Sequence, residues 1–418
     1  MKKIIQNTFL IFGSLLFCTM LFELGVRIFA EPEFDYTQAS ADESALWQYD
    51  AKLGWAMQPN GQCTFSRPEF SSEIQTNAFG LRDDDFSKEK AKDEFRILLL
   101  GDSVVAGFEV QRDGTMEAQL EKRLNRQLSG KKIQVINAGV RGYGTDQELL
   151  YLLERGMALQ PDIVVLGFVP ANDLENNVTV HTAGRIFSKP CFVFDEAGHI
   201  ALRGIPVPDY DLQKQIYSAV MPQRPEPVAA ADGNQNALKV FLSKKLRSYA
   251  FVARRLKTAP PEFVGWLKKR GILHNSLPPE QVDFYRFPLN DDWTARWKIT
   301  LAIIEQMHAF CIKNETDFLL WSFPQKEQIY SRDRVIFTRS FAVDDDELDF
   351  DQPEKKLRTF ARQNKMQYVE TAAGFRHRAK SGERFHFITD HHLNENGHRL
   401  MAEILATHIT KKTINELK

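Results

Sequence analysis

Four short polar segments of the sequence contain the residue types that serine-based acyl chemistry requires. They are Gly101-Asp102-Ser103, Asn137-Ala138-Gly139-Val140-Arg141-Gly142, Asn172-Asp173 and Asp390-His391-His392-Leu393-Asn394. A serine hydroxyl becomes a strong nucleophile only when a base accepts its proton, which histidine does near neutral pH. The imidazolium that forms is stabilised by a carboxylate at its other nitrogen. The tetrahedral oxyanion requires preorganised donors, and the loss of one raises the barrier by about 3–4 kcal/mol. The four segments offer candidates for all of these roles.

The elements around these segments predict a parallel sheet that brings them together. Residues 95–100 form a short apolar run before Gly101, and residues 133–140 and 161–169 predict the next two strands. Each of the first three segments lies at the carboxyl end of one of these strands, and the fourth precedes the last predicted helix. Ligands bind beyond the carboxyl ends of the strands in such a sheet, so we expect the segments to meet there.

Strands and helices alternate on both sides of a long interruption. Helices are predicted over about 116–128, 293–312, 353–364 and 394–409, another from a capping pattern at Thr145-Asp146-Gln147-Glu148, and further strands over 318–321 and 367–369. Residues 178–290 lack this alternation and contain only a predicted hairpin at 192–202 and a basic, helix-like stretch at 239–257. The expected fold class is therefore α/β: a three-layer α/β/α sandwich with a parallel, flavodoxin-like sheet of about five strands and an insertion at about 178–290.

The amino terminus predicts a membrane anchor. Residues 4–22 carry no charge, which is close to the length of a membrane-spanning helix, and Lys2 and Lys3 precede them. This pattern favours a single-pass helix in the cytoplasmic (inner) membrane, with its amino terminus inside and the following chain on the periplasmic side. A signal peptide cleaved after Ala30 is the alternative, and Ile28 fits it poorly because cleavage sites need small residues one and three positions before the cut.

Three parts of the chain follow from these patterns. Residues 1–30 are the expected anchor, residues 31–94 an extension that packs on the following domain, and residues 95–418 the domain that contains the four polar segments, with the insertion at about 178–290. The formal net charge of −1 gives no general attraction to nucleic acid. Four histidines crowd the end of the chain, but their spacing matches no usual zinc pattern, and we expect neither a metal nor a cofactor. They are His386, His391, His392 and His398.

Taken together, the four segments resemble the SGNH/GDSL hydrolase family over about residues 95–175 and 293–410, with residues 101–107 as the nucleophile block. The resemblance implies that Ser103 is the nucleophile, His392 the general base and Asp390 the residue that orients the base. It implies an oxyanion hole made by the Ser103 N–H, the Gly142 N–H and the Asn172 side-chain amide. Gly142 is preferred to Gly139 because the functional glycine of the family lies five residues after the strand-end asparagine, here Asn137.

Two positions depart from the family pattern. Ala171 precedes Asn172 where the family often has glycine, and Asp390-x-His392 replaces the usual D-x-x-H spacing. The shorter spacing also occurs in SGNH-like proteins that acetylate exopolysaccharides. His391 is the rival base, and His392 is preferred because Leu-Asn follows it, as in the family.

These assignments predict an extracytoplasmic serine esterase that forms an acyl-Ser103 intermediate. The expected partners are the membrane and an acylated glycan or lipid of the cell envelope, with no nucleic acid. A polysaccharide O-acyltransferase would use the same residues, and a non-catalytic envelope scaffold or glycan-binding protein is the alternative from another class.

Overall fold

The computed structural model describes residues 2–29, 43, 45–128, 130–179, 189–207, 247–256, 259–270, 272–273 and 279–416. The chain divides into two compact units. One contains Met1–Asp35, Ala229–Pro278 and Val335–Asp344, and the other contains Tyr36–Val228, Pro279–Arg334 and Asp345–Lys418. The boundaries predicted near residues 30, 94, 178 and 290 stay a prediction.

The strands are, in chain order, β1 (Trp47–Asp50), β2 (Gly54–Met57), β3 (Gln62–Arg67), β4 (Phe70–Gln75), β5 (Glu94–Gly101), β6 (Lys132–Asn137), β7 (Ile163–Phe168), β8 (Cys191–Phe194), β9 (Ile200–Arg203), β10 (Asp317–Ser322) and β11 (Gln367–Val369). The helices are α1 (Lys2–Phe29), α2 (Ser103–Ala106), α3 (Met116–Gln127), α4 (Thr145–Tyr151), α5 (Pro170–Asn176), α6 (Arg247–Leu256), α7 (Pro261–Lys269), α8 (Asp291–Lys313), α9 (Lys326–Ile329), α10 (Ser331–Phe341), α11 (Gln352–Gln363), α12 (Ala372–Ala379) and α13 (Glu395–Glu416). A π-helical turn at Leu152–Gly156 extends α4, and short 3₁₀ turns lie at Arg112–Gly114, Met157–Leu159, Pro279–Tyr285 and Asp345–Glu347.

A five-stranded sheet in the order β11-β10-β7-β5-β6 forms the centre of the second unit. Every neighbouring pair in it is parallel. The predicted α/β fold class with a parallel sheet of five strands is confirmed. The order places β5 between β6 and β7, so the carboxyl ends of the three strands that carry the first three polar segments are adjacent.

Side chains that alternate along β5 cover both faces of this sheet, as expected for a strand buried on both sides. Ile97 and Leu99 lie in a buried cluster with side chains of α3 and α13. On the opposite face, the Phe168 ring at the end of β7 contacts Trp297 of α8, with 5.9 Å between the ring centres. Helices therefore cover the sheet on both faces, which makes the three layers.

Two antiparallel hairpins, β1–β2 and β3–β4, precede the sheet and were not expected from the sequence. The first contacts the loop after β6, because the Trp55 Nε1 donates to the Arg141 carbonyl oxygen at 3.2 Å and the Tyr143 hydroxyl donates to the Trp55 carbonyl oxygen at 2.6 Å. Beyond the hairpins, the buried Arg82 guanidinium donates to the carbonyl oxygens of Ala106, Gly107 and Val110. These contacts place residues of the extension against the loops that follow β5 and β6.

Two local expectations change. Strand β6 ends at Asn137 instead of residue 140, because the Asn137 side chain folds back to accept from the Gly139 N–H at 3.0 Å and to donate to the Val105 carbonyl oxygen at 3.1 Å. Helix α4 has Gly144 as its N-cap instead of Thr145, and the Gly144 N–H donates to the Gln147 side chain at 3.4 Å. Glu148 is buried instead of reaching back to the helix start.

Helix α1 contains a stretch, Gln6–Phe29, that is long and apolar enough to cross a membrane, a property that signal sequences share. Most of its described large apolar side chains are exposed, whereas Val26 is buried. Glu23 and Arg27, four residues apart on α1, form an ion pair at 2.7 Å, and the Glu23 Oε2 also accepts from the Ser248 N–H of α6 at 2.8 Å. The predicted hairpin of the insertion is present as β8 and β9. Residues 180–188 and 208–246 lie outside the described residues. In the basic stretch predicted over 239–257, residues 247–256 form α6, and the rest lie outside the described residues.

Candidate active site

The turn after β5 places Ser103 at the start of the short helix α2. Asp102 is the N-cap of this helix, and its Oδ1 accepts from the Val104 N–H at 2.9 Å. Gly107 ends the helix after one turn with a φ of 63°, a left-handed conformation that glycine adopts without strain. The first N–H groups of a helix have no intrahelical acceptor, so the Ser103 N–H is available to bind a group outside the helix.

His392 contacts both Ser103 and Asp390. Its Nε2 lies 2.8 Å from the Ser103 Oγ, and its Nδ1 lies 2.6 Å from the Asp390 Oδ1. These partners are consistent with the tautomer in which Nδ1–H donates to the carboxylate and Nε2 accepts from the serine hydroxyl. His392, and not the neighbouring His391, is the histidine beside the serine.

The short Asp390-x-His392 spacing is accommodated by a local turn. The Asp390 Oδ1 accepts from the His392 backbone N–H at 2.8 Å as well as from the ring Nδ1. This is an Asx-turn, in which an aspartate binds the backbone two residues further on. The turn brings the Asp390 carboxylate to the His392 ring, so a separation of two residues is enough to pair the acid with the base.

The pairing sets the charges of both groups. Burial disfavours the imidazolium of His392, but the negative charges of Glu109 and Asp390 and the hydrogen bond to Asp390 raise its pKa above the ordinary value. Burial alone would raise the pKa of Asp390, but its hydrogen bonds with His392 and the charge of that ring lower it further than burial raises it. Asp390 is therefore ionised across the physiological pH range.

The expected oxyanion donors lie at the ends of the three adjacent strands. Neither the Ser103 N–H nor the Gly142 N–H donates to any group in the described part of the chain. Gly142 has a φ of 79°, which again requires glycine. The exposed Asn172 side chain donates through Nδ2 to the Asp102 Oδ2 at 2.9 Å, which leaves its second N–H for a ligand.

Gly139 has a different part in the same loop. A Cβ atom on Gly139 would lie 2.4 Å from the Ala106 backbone nitrogen, closer than real contacts allow. The loop after β6 therefore packs backbone to backbone on helix α2. This assigns Gly139 to packing and leaves Gly142 as the glycine with an available N–H.

Sequence reasoning missed a second carboxylate beside the histidine. The Glu109 Oε1 lies 3.5 Å from the His392 Nδ1 and also pairs with the Arg141 guanidinium. The Glu109 side chain is 1% exposed, and its Oε2 has no hydrogen-bond partner among the described residues. No motif or spacing singles out Glu109, because it becomes a neighbour of His392 only through the fold.

We expect Glu109→Gln to move the acid limb of the pH profile to lower pH. His392 acts as a base only when neutral, so activity falls as the pH drops through its pKa. The Glu109 charge raises that pKa, and neutral glutamine removes the effect. The measurement is kcat/KM against pH with p-nitrophenyl acetate, and Glu121→Gln on α3 is the matched control. An acid limb that stays in place or moves to higher pH would contradict the expected influence of Glu109 on His392.

The other two histidines near the end of the chain have structural partners. The His386 Nε2 lies 2.9 Å from the Pro324 carbonyl oxygen and its Nδ1 lies 3.1 Å from the Tyr330 hydroxyl. The His398 Nδ1 accepts from the Met116 N–H at 3.2 Å. Burial lowers the pKa of His386 well below its ordinary value and, with the charge of Arg82, lowers the pKa of His398 to about 3. Both rings are therefore neutral parts of the core.

Comparison with known proteins gives matches only among solved structures, since no family model and no curated protein matches the chain. A protein assigned to the G-D-S-L family of lipolytic proteins from Desulfitobacterium hafniense DCB-2 matches at 9% identity, covering 75% of this chain and 98% of its own, with a TM-score of 0.34. The acetyl xylan esterase AlAXEase matches at 11% identity, covering 75% and 100%, with a TM-score of 0.36. A variant of Axe2, an acetyl xylan esterase from Geobacillus stearothermophilus, matches at 12% identity, covering 77% and 97%, with a TM-score of 0.35.

These likenesses are too distant to carry an argument about activity, so the interpretation of the site depends on its own geometry.

Proposed function

We propose that this protein hydrolyses ester bonds through an acyl-Ser103 intermediate. The observation that carries the proposal is the continuous hydrogen-bonded series from the Ser103 Oγ to the His392 Nε2 at 2.8 Å and from the His392 Nδ1 to the Asp390 Oδ1 at 2.6 Å. A serine, a base and an orienting carboxylate in this order form the arrangement that activates a hydroxyl nucleophile.

The first half of the reaction forms the acyl-enzyme. The Ser103 Oγ attacks the ester carbonyl carbon while His392 takes the hydroxyl proton, and Asp390 stabilises the imidazolium. The negative charge on the former carbonyl oxygen is met by the N–H groups of Ser103 and Gly142 and by the Asn172 amide. The tetrahedral intermediate then collapses, the C–O bond to the alcohol breaks, and His392 returns its proton to the departing alkoxide oxygen.

The second half releases the acyl group. Water attacks the ester carbon of acyl-Ser103 while His392 takes a proton, and collapse of the second intermediate returns that proton to the Ser103 Oγ. The products are a carboxylic acid and the free enzyme. If the hydroxyl of a sugar replaces water, the same steps transfer the acyl group to a glycan, so the identity of the acceptor separates a hydrolase from a polysaccharide O-acyltransferase.

Location narrows the class of substrate. Helix α1 is long and apolar enough to span a bilayer, and Lys2 and Lys3 at its start favour an amino terminus on the cytoplasmic side. The following chain would then lie on the periplasmic side of the cytoplasmic membrane. We therefore propose an acylated glycan or lipid of the cell envelope as the substrate.

The oxyanion assignment predicts a specific kinetic defect. We expect Asn172→Ala to lower kcat for p-nitrophenyl acetate by roughly 10²–10³-fold with a smaller change in KM, because the lost donor acts mainly on the transition state. Asn396→Ala on α13 is the control, since the Asn396 Oδ1 accepts from the Arg399 guanidinium at 2.8 Å and the residue is not among the proposed oxyanion donors. A kcat within a few-fold of the wild-type value would contradict the assignment of Asn172 to the oxyanion hole.

The full-length chain in detergent can test the proposed function directly. We expect a fluorophosphonate to label it and peptide mapping to place the label on Ser103, together with hydrolysis of short-chain esters. Analysis of the products with an added glycan acceptor then distinguishes hydrolysis from transfer. A folded chain that neither reacts with the fluorophosphonate nor hydrolyses short-chain esters would contradict the proposed esterase activity and favour the scaffold or glycan-binding alternative. A label on another residue would contradict only the assignment of Ser103 as the nucleophile.

A further inference from the structure

The loop that carries Asp390 and His392 is a short excursion between α12 and α13. Its two ends are joined, because the Asn394 N–H donates to the Phe385 carbonyl oxygen at 2.9 Å and the Phe387 N–H donates to the His392 carbonyl oxygen at 3.2 Å. The residues at the tip belong to no helix or strand, and Ile388 there is 56% exposed. Backbone N–H groups at such a tip need acceptors from elsewhere if the loop is to keep one conformation.

Glu69 supplies those acceptors from the turn between β3 and β4. Its Oε1 accepts from the Ile388 N–H at 2.7 Å, and its Oε2 accepts from the N–H groups of Thr389 at 2.7 Å and Asp390 at 2.8 Å. The Thr389 hydroxyl also donates to Oε2. One carboxylate therefore binds three consecutive backbone N–H groups, the last of them belonging to Asp390 itself.

Two further contacts hold the same stretch of the loop. The Lys326 Nζ donates to the Ile388 carbonyl oxygen at 3.1 Å. The peptide group between Ile388 and Thr389 is therefore held through its oxygen by Lys326 and through its N–H by Glu69. The Phe70 ring, next to Glu69, packs on Phe387 with 4.9 Å between ring centres. Burial works against the charge of Glu69, but the hydrogen bonds from the loop lower its pKa below the ordinary value, so the carboxylate is ionised at neutral pH.

We infer that Glu69 is a positioning residue of the active site, which fixes the backbone of Asp390 and through it the orientation of His392. The inference rests on the proposed function and extends the site to a hairpin more than three hundred positions away in the sequence. Hydrogen bonds to an ionised acceptor are stronger than neutral ones. Loss of this acceptor would free the tip, and small displacements of a catalytic group can cost about 10²-fold in rate.

The test compares Glu69→Ala and Glu69→Gln with Glu73→Ala in the full-length chain. Glu73 lies on β4 of the same hairpin, and its Oε1 accepts from the Thr64 hydroxyl at 3.0 Å, so its loss perturbs the hairpin without touching the loop. Two quantities are measured for each variant. They are the amide hydrogen exchange of the peptide covering residues 386–394, followed by mass spectrometry, and the separate values of kcat and KM for p-nitrophenyl acetate.

We expect Glu69→Ala to speed exchange in this peptide by about tenfold or more and to lower kcat by roughly 10- to 100-fold with little change in KM. Glu69→Gln retains one amide oxygen as an acceptor, so we expect an intermediate loss in both quantities. Glu73→Ala should match wild type in both.

Different results overturn different statements. Unchanged amide hydrogen exchange of residues 386–394 in Glu69→Ala would overturn the statement that Glu69 holds the loop, whatever the kcat of the variant. Faster exchange with the kcat of wild type would overturn the positioning role. A wild-type chain without esterase activity or fluorophosphonate labelling would instead count against the proposed function, and the exchange data would still decide whether Glu69 holds the loop.

Discussion

Ser103→Ala is expected to lower kcat for ester hydrolysis by roughly 10⁴–10⁶-fold, to the level that binding and the oxyanion donors alone sustain. The reason is that the Ser103 Oγ is the group that His392 contacts at 2.8 Å, and no other hydroxyl is hydrogen-bonded to that ring in the described part of the chain. His392→Ala should cost about as much. The double variant should cost no more than either single variant, because the two residues act as one unit.

His391→Ala is the matched control for this pair. It removes an imidazole from the neighbouring position and should leave kcat close to that of wild type. Loss of activity in His391→Ala but not in His392→Ala would exchange the two histidines. Additive losses in the double variant would show that Ser103 and His392 do not act in the same step. The measurement is steady-state turnover of p-nitrophenyl acetate, with the folded fraction of each variant checked by thermal unfolding.

The largest effect on stability is expected at the buried ion pair of Asp146 and Lys189. The Lys189 Nζ donates to both carboxylate oxygens of Asp146, at 2.8 and 2.7 Å, and to the Asn176 carbonyl oxygen at 2.6 Å. Both side chains of the pair are completely buried. Lys189→Ala leaves the Asp146 carboxylate without its cation inside the protein, a change that typically costs about 3–5 kcal/mol.

The expected result is a lower unfolding midpoint, measured by thermal denaturation of the full-length chain. The double variant Asp146→Leu/Lys189→Met should recover most of the loss, because removing both charges leaves no unpaired group. Lys52→Ala, which breaks a surface pair with Glu154, should shift the midpoint only slightly. A Lys189→Ala midpoint as close to wild type as that of Lys52→Ala would show that the buried pair is not needed for stability.

The same ion pair links α4, which follows the Gly142 loop, to α5, which carries Asn172. Asp146 opens α4, soon after Gly142, and its N–H donates to the Asn177 side chain at 3.1 Å. The Asn176 side chain donates in turn to the Tyr143 carbonyl oxygen at 3.3 Å. A variant that weakens this network should therefore lose activity before it unfolds completely, because the Asn172 helix and the Gly142 loop are held in register by it.

The central sheet and the location of the site could be predicted because their signals are local. The apolar run before Gly101 has the length and composition of a doubly buried strand, and polar residues at strand ends converge by the geometry of a parallel sheet. Asp390 and His392 were identified because both lie in one short segment before a helix. The Asx-turn that pairs them follows from the chemistry of aspartate.

The remaining parts of the site could not be predicted because their signals are not local. Glu69 lies 320 positions before Thr389, and Glu109 lies 283 positions before His392. No spacing rule connects residues that are this far apart in the sequence. Strands β1, β2 and β3 are short, and burial does not alternate along them. Burial alternates along β4, but one of its buried residues is Ser72, so the alternation is not visible in the hydrophobic pattern. Long-range polar contacts of this kind become visible only when the backbone is in place.

The close approach of Gly139 to the Ala106 nitrogen has a consequence for turnover. Two backbones in van der Waals contact cannot slide without separating, so the nucleophile helix and the loop after β6 behave as one solid piece. The segments that carry the Ser103 and Gly142 N–H groups are then set relative to each other before any ester arrives, so we expect no slow rearrangement between these two segments. Any pre-steady-state burst of p-nitrophenol should therefore rise in a single exponential phase, without a slower phase from movement of these two segments.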